Sequence, residues 1–367
     1  MKTILLTGAS GFVGTNFILE THKKFNIIAL VRKNSDISLI KNKCEIIRHS
    51  DNFQALNHIF TTHRIDGIIH LATKWTSNHT LNDIKTIIDT NILFGTQILE
   101  ATKTHSIPFF INASSFGMFC NSNSYRPATL YAASKRAFED IMRYYSLVAK
   151  STIFCNLLIF NTFGLHDKTT RLFNLLDNIA LNGGELDMSD GMQIVDYTHI
   201  KNVVWGFECL LDLIAQRPKF CKNKLFTLQS ENRQTLCELV ELYEKLLCKK
   251  LQINWGKRAK RELEITKPFS AGIKLPNWSE KVSLEDGLKD LISANKNLQK
   301  FPESSGKIAD FAICDFENPR NPKNPNWGGV ERDESRIIIA IFAESTLDSA
   351  TYLKNTKYSP EPSKAIA

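Results

Sequence analysis

Two rhythms of apolar and polar positions alternate along the first part of the chain. Short continuous apolar runs recur at Lys2–Thr7 (KTILLT), Asn26–Val31 (NIIALV), Cys44–Arg48, Gly67–Leu71 (GIIHL), Pro108–Ala113 (PFFINA) and Thr152–Ile159. Between them lie longer stretches with apolar residues at helical spacing: Gly11–Lys23, Phe53–His63, Asn82–His105 and Tyr131–Lys150. A strand without polar alternation is buried on both faces, and strands separated by helices are joined by crossovers. The pattern predicts an α/β fold, a Rossmann-type doubly wound parallel sheet.

After Ile159 the order loosens. Helices are expected at Arg171–Leu181, Ile200–Ile214, Thr235–Leu247 and Leu284–Asn295, with short strands at Gln193–Tyr197 and Leu225–Leu228. Gly183, Gly184 and Gly191 punctuate loops. This reads as a smaller C-terminal lobe that binds substrate and returns some elements to the sheet. From about Phe301 the character changes again: Asn318–Gly329 (NPRNPKNPNWGG) carries three Asn-Pro steps and cannot be regular helix or central strand. The expected division is a cofactor core over 1–165, a mixed lobe over 166–299 and an irregular, mobile tail over 300–367. Truncation near Asn295 is expected to leave cofactor binding intact, and a partner-binding role for the tail is the alternative.

Composition narrows the class. Of 367 residues, 43% are hydrophobic and 23% charged, ordinary for a globular protein. No apolar run approaches a bilayer-spanning length; the longest candidate is Ile337–Ala343. The N-terminus fits a buried strand better than a cleavable signal. The eight cysteines are scattered without a C-x-x-C pair. They read as reduced thiols of a cytoplasmic protein, and no metal site is expected. The net charge of +8 is spread, with one cluster at Lys249, Lys250, Lys257, Arg258, Lys260 and Arg261. That cluster is a solvated face or an attractor of anionic ligands; no nucleic-acid motif accompanies it, and neither nucleic acid nor membrane is an expected partner.

The segment TGASGFVG, Thr7 to Gly14, closes the first strand and opens the first helix. Gly8 permits the sharp turn, Gly11 lets the backbone approach a pyrophosphate, and Gly14 lets the helix pack close to the sheet. With Ser10, Phe12 and Val13 they form a dinucleotide-binding turn, phosphates meeting N–H groups where the helix macrodipole favours anions. The end of the second strand selects between cofactors. An acidic residue there would take the ribose hydroxyls, but this chain has Val31-Arg32-Lys33. Arg32 can pair with a 2′-phosphate, so NADP(H) is favoured and NAD(H) is the alternative. Asp51, after the third strand, either contacts the adenine or holds a turn.

Tyr131-Ala132-Ala133-Ser134-Lys135 places a tyrosine and a lysine on one helical face. A nearby ammonium favours phenolate, so Lys135 is expected to lower the pKa of Tyr131 and fit it for proton exchange with a carbonyl/alcohol pair. With this motif the chain resembles an extended short-chain dehydrogenase/reductase of the NAD-dependent epimerase/dehydratase group. The matching segments, in order, are TGASGFVG, GIIHLAT (Gly67–Thr73), DTNILFGTQILEA (Asp89–Ala101), NASSFGMF (Asn112–Phe119) and YAASK. The resemblance covers roughly the first 295 residues and leaves the tail unmatched.

The resemblance implies roles. Ser115 falls at the Ser/Thr position that hydrogen-bonds the substrate oxygen, with Ser114 the near alternative. Lys135 would also hold the nicotinamide ribose. Ala72 and Asn91 match positions lining the cofactor and active site; on their own, the one could be a packing residue and the other a satisfier of backbone groups. The implied substrate is a nucleotide-activated sugar. GMQIVDYTHIKNVV (Gly191–Val204) is similar to the stretch that closes over it, which makes Gln193 a binding candidate, and NTFG (Asn161–Gly164) is similar to an Asn-x-Tyr-Gly loop contributing Asn161. The chain departs from the pattern at Val195, where an arginine often precedes the Asp-Phe/Tyr pair, and at Lys201-Asn202, Phe163 and Leu165. The diphosphate grip then falls to Arg171 or Lys168. A homodimer through the helices at Asn82–His105 and Tyr131–Lys150 is common in such proteins.

Three reactions follow from the resemblance: epimerisation, dehydration and ketone reduction. Dehydratases carry an Asp-Glu pair just after the Ser/Thr, and Phe116-Gly117 stands there instead. Epimerases retain NAD, whereas Arg32-Lys33 favours exchangeable NADPH. The chain is most similar in look to CDP-abequose/CDP-paratose synthase-like reductases of polysaccharide biosynthesis. The expectation is NADPH-dependent reduction of a nucleotide-linked 4-keto-deoxysugar, with an NAD-dependent epimerase second and a non-catalytic dinucleotide sensor or scaffold third.

Overall fold

A computed structural model of the chain describes residues 1–49, 53–169 and 171–295. Asp51 and the tail from 300 onward lie outside the described residues. The first half runs β1 (Thr3–Thr7), α1 (Phe12–Thr21), β2 (Asn26–Arg32), β3 (Glu45–His49), α2 (Phe53–Thr62), β4 (Gly67–His70), α3 (Leu81–Ile88), a π-helical segment Asp89–Phe94, α4 (Gly95–Thr104), β5 (Phe109–Ser115), α5 (Leu130–Val148) and β6 (Ile153–Ile159). The second half runs β7 (Asn161–Phe163), α6 (Leu172–Asn182), β8 (Glu185–Met188), β9 (Ile194–Val195), β10 (Tyr197–His199), α7 (Ile200–Gln216), α8 (Pro218–Cys221), β11 (Leu225–Thr227), β12 (Gln234–Thr235), α9 (Leu236–Leu247), β13 (Gln252–Trp255), β14 (Ile273–Lys274) and α10 (Leu284–Ala294).

The central sheet has the order β3-β2-β1-β4-β5-β6-β11-β14, with every neighbouring pair parallel. The first six strands follow the Rossmann order, and the crevice opens where the order reverses, between β1 and β4. Alternation along the strands divides the core in two. Ile4, Leu6, Ala29, Ile69, Ile111 and Leu157 face one way, towards Phe17 of α1 and Val203 and Phe207 of α7. Leu5, Ile28, Ile68, Phe110 and Phe154 face the other, towards Ile59 of α2, Leu99 of α4 and Phe138 of α5. Both faces being covered is why these strands read as continuous apolar runs.

A separate cluster holds the smaller lobe: Phe173 and Leu176 of α6, Leu239, Tyr243 and Leu247 of α9, and Leu288 of α10. Its strands are short pairs, β8 with β13 in parallel and β9 with β12 antiparallel. Two expectations are corrected here. The strand expected over Gln193–Tyr197 is two strands with different partners, β9 and β10, separated at Asp196, which is fully buried and paired with Arg233. The helix expected over Asn82–His105 is interrupted by the π-helical segment, a wide turn that brings Asn91 inward.

Candidate active site

The glycine turn is shaped by close approach. Gly8 has φ +66°, and a Cβ there would lie 2.6 Å from the Ala72 nitrogen; one on Gly14 would lie 2.4 Å from the Gly8 carbonyl oxygen. Thr7 pins the facing strand end, its Oγ1 accepting from the Leu71 and Ala72 amides at 3.2 Å each. Helix α1 begins after Gly11 with no side-chain cap and no acidic residue in its first turn. The amides of Phe12 and Val13 are therefore presented to an anion in a place where any side chain at Gly8 or Gly14 would intrude. A pocket of about 150 Å³ adjoins the turn, lined in part by Ser10, Gly11, Phe12, Ile37 and Lys168. The structure thus fits a dinucleotide: Ser10, Gly11, Phe12 and Val13 would hold its pyrophosphate.

At the far end of β2, Arg32 is exposed and Lys33 follows it. Arg48, on the neighbouring β3, donates to the carbonyls of Arg32 (3.3 Å) and Lys33. Three cations therefore gather at the end of β2. The carboxylate nearest in sequence, Asp36, is taken up by Lys168 (2.6 Å) and the Ser38 amide (3.0 Å), which hold it well below the usual carboxylate range. Lys168, expected as one option for a diphosphate grip, is thereby directed to the cofactor side.

Across the crevice, β5 ends in two serines that face opposite ways. Ser115 hydrogen-bonds Tyr131 and accepts from the Gly117 amide at 3.3 Å. Ser114 donates to Glu139 at 2.5 Å. Ser115 is thus the serine brought to Tyr131. Helix α5 starts at Leu130, capped by Thr129 Oγ1 on the Ala132 amide, which places Tyr131 in its first turn and Lys135 one turn deeper. Burial pushes the Tyr131 phenol up; the Ser115 hydrogen bond, the charge of Arg171 and a Thr73 hydrogen bond pull against it. Lys135 is itself buried and brought down to about 8 by that burial, against the pull of Glu139.

Arg171 stands at the N-cap position of α6 and lies 5.1 Å from the Trp75 ring centroid, its buried Nε without a hydrogen-bond partner among the described residues. Tyr197 lines the same small cleft as Arg171. Asn161 is set beside Tyr197 by the β7–β10 pairing. Gln193 is turned aside, its Nε2 donating to Ser189 Oγ at 2.7 Å. Asn91 accepts from Thr73 Oγ1 and the Lys74 amide and donates to the Lys74 carbonyl and Ser134 Oγ. Those bonds use both its donors and both lone pairs, so it braces the loop after β4 against α5. Arg48, Trp75 and Glu139 were missed by sequence reasoning. Glu139 had a signal, one further turn along the face of Tyr131 and Lys135; the other two come to the site only through tertiary pairing.

Among the described residues no group of three or more potential metal ligands gathers, and no helix is long and apolar enough to cross a membrane.

Known proteins resemble this chain in sequence and in fold. The model of the NAD dependent epimerase/dehydratase family matches residues 4–220. A CDP-abequose synthase of Salmonella muenchen is 28% identical over 80% of this chain and 97% of its own length. A UDP-glucuronate 4-epimerase of Thermodesulfobacterium geofontis is 23% identical over 81% of this chain and 97% of its own. In fold the chain is similar to a mutant UDP-glucuronic acid 4-epimerase from Bacillus cereus, solved with UDP-4-deoxy-4-fluoro-glucuronic acid and NAD, at a TM-score of 0.70 and 20% identity, covering 79% of this chain and 97% of that one.

Proposed function

The chain belongs to the NAD-dependent epimerase/dehydratase family, and on that footing we propose that it reduces a nucleotide-linked 4-keto-deoxysugar with NADPH. The observation that carries this reading is the state of Tyr131: a phenol kept protonated by burial, hydrogen-bonded to Ser115, with no carboxylate among the groups that act on it. A protonated phenol is ready to give a proton to a ketone oxygen. Elimination of water would need a further acid or base, and Phe116, stacked on Phe160, occupies the position beside Ser115.

When bound, the dinucleotide supplies the hydride to the ketone carbon. Tyr131 gives its phenolic proton to the ketone oxygen, and Ser115 orients that oxygen by hydrogen bonding. Lys135 holds the nicotinamide ribose and steadies the charge left on Tyr131. Gly8, Gly11 and Gly14 seat the pyrophosphate, with Ala72 lining the pocket. Arg32, with Lys33 and Arg48 beside it, favours a 2′-phosphate and hence NADP(H). Arg171 and Asn161 contact the sugar nucleotide, and Trp75 covers it. In this reading residues 1–165 bind cofactor and 166–299 bind substrate. The apolar faces of the 81–104 helix and of α5 form a homodimer contact.

The second reading is an epimerase with retained NAD, favoured by the names of the epimerase relatives. Purified protein screened with NADPH and NADH against CDP-, dTDP-, UDP- and GDP-linked 4-keto sugars tests the first. Stoichiometric NAD released on denaturation, without net reduction of any keto sugar, would select the second. Dinucleotide binding without any turnover would leave a sensor.

A further inference from the structure

Beneath Tyr131 lies a buried polar layer that the proposed reaction does not use. Strand alternation puts Thr7, His70, Asn112, Ser114 and Asn156 on the face of the sheet that α5 covers. From α5 itself Tyr131, Lys135 and Glu139 recur at four-residue steps and form one stripe along the helix. Lys135 is 4% exposed, and its one side-chain hydrogen bond is a long 3.5 Å contact to Asn112 Oδ1. An ammonium taken out of water with one long contact to a neutral amide is costly unless a counter-charge faces it.

Other charges are engaged elsewhere. His70, from β4, is brought down to about 3 by burial and by Lys135, so it is neutral. On α5, Arg136 pairs with Asp140. On the neighbouring helices Glu100 pairs with Lys103 and accepts from Tyr145, and Asp89 pairs with Lys85. Arg171 reaches Tyr131 from the lobe. Among the described residues Glu139 is the carboxylate that remains: the Ser114 hydroxyl (2.5 Å) fixes it on the same sheet face where Lys135 meets Asn112, and although burial pushes its carboxyl up, that hydrogen bond and the Lys135 charge pull it back.

We propose that Glu139 is a positioning residue for this site: its carboxylate, anchored by Ser114, is the counter-charge that keeps the Lys135 ammonium charged and aligned beneath Tyr131. It acts through Lys135 and does not touch substrate. The two adjacent serines of β5 then share the work, Ser115 on the phenol and Ser114 on the carboxylate. The proposal rests on the reading of Tyr131 and Lys135 as the working pair.

The test is an NMR titration of protein carrying 13C-labelled lysine, with the Lys135 signal assigned by its loss in Lys135→Met. The wild-type midpoint is expected at about 8. Glu139→Gln should lower it by about one pH unit or more, and Glu139→Asp should restore part of the shift. An unchanged midpoint in a folded Glu139→Gln protein overturns the proposal. If that variant does not fold, Ser114→Ala decides: a smaller downward shift supports it and none overturns it. In turnover, the alkaline limb of the kcat profile should move down in step with the midpoint. A wild type that turns over no keto-sugar nucleotide, while Lys135 still titrates with Glu139, would refute the proposed reaction and leave this inference standing.

Discussion

At the scale of single residues, the arrangement depends on which polar groups are buried against what. Tyr131 is a buried phenol hydrogen-bonded to Ser115 and under the charge of Arg171. Tyr131→Phe is expected to cut turnover about 10²- to 10⁴-fold, the usual worth of a positioned acid, while dinucleotide affinity stays within a few fold; steady-state kinetics beside a binding titration check both. Arg32→Asp should lower the preference for NADPH over NADH about 10- to 100-fold, since a charge-assisted contact contributes about 1.5–3 kcal/mol; the ratio of kcat/KM for the two cofactors reads it. Burial also sets a pH dependence. His70 and His199 are pushed down to about 3 and about 4. The unfolded chain therefore binds more protons below about pH 6.5, and their contribution to stability, full above that pH, is lost as pH falls towards 4. Asp196, raised to about 6 by burial against the pull of Arg233, works in the opposite direction over part of that range. His70→Asn should flatten the slope of unfolding free energy between pH 6 and 4 by up to about 1.4 kcal/mol per pH unit; urea titrations at several pH values measure it, and an unchanged slope would contradict the assignment.

At the scale of elements, close backbone approach decides what the cofactor crevice tolerates. Gly14→Ala would place a methyl 2.4 Å from the Gly8 carbonyl oxygen. Helix α1 would have to move off the turn, with an expected loss of about 1–3 kcal/mol and of dinucleotide binding, seen by thermal unfolding with and without cofactor. The β-α alternation was legible because strands such as Ile27–Val31 are buried on both faces and α5 carries a clear apolar stripe. The short strands Glu185–Met188, Gln252–Trp255 and Ile273–Lys274 were not foreseen. Two to four residues with mixed polarity carry too little periodic signal, and their pairing is non-local. The π-helical turn at Asp89–Phe94 was equally silent, because its sequence is compatible with an ordinary helix.

At the scale of the whole molecule, apolar side chains left on the surface bear on assembly. Leu81 is 87% exposed and Leu147 65% exposed, with Ile84, Ile88 and Tyr144 also open to solvent on the same two helical segments. If these faces meet in a homodimer, Leu147→Glu should convert it to monomer in sedimentation experiments without changing the circular dichroism spectrum; a wild type that sediments as a monomer would refute the dimer. Sequence alone determined the doubly wound sheet, the glycine turn and the placing of Tyr131 and Lys135 on one helical face, because each is encoded by periodicity or by neighbours a few positions apart, where chain geometry fixes the contact. Only the tertiary structure decided which serine meets Tyr131, that the charge of Arg171 acts on its phenol, that Arg48 joins Arg32 at the end of β2, and that Ser114 holds Glu139. Those outcomes depend on strand register, on burial and on charges brought together from distant segments, and burial moves a pKa by an amount that no local motif records.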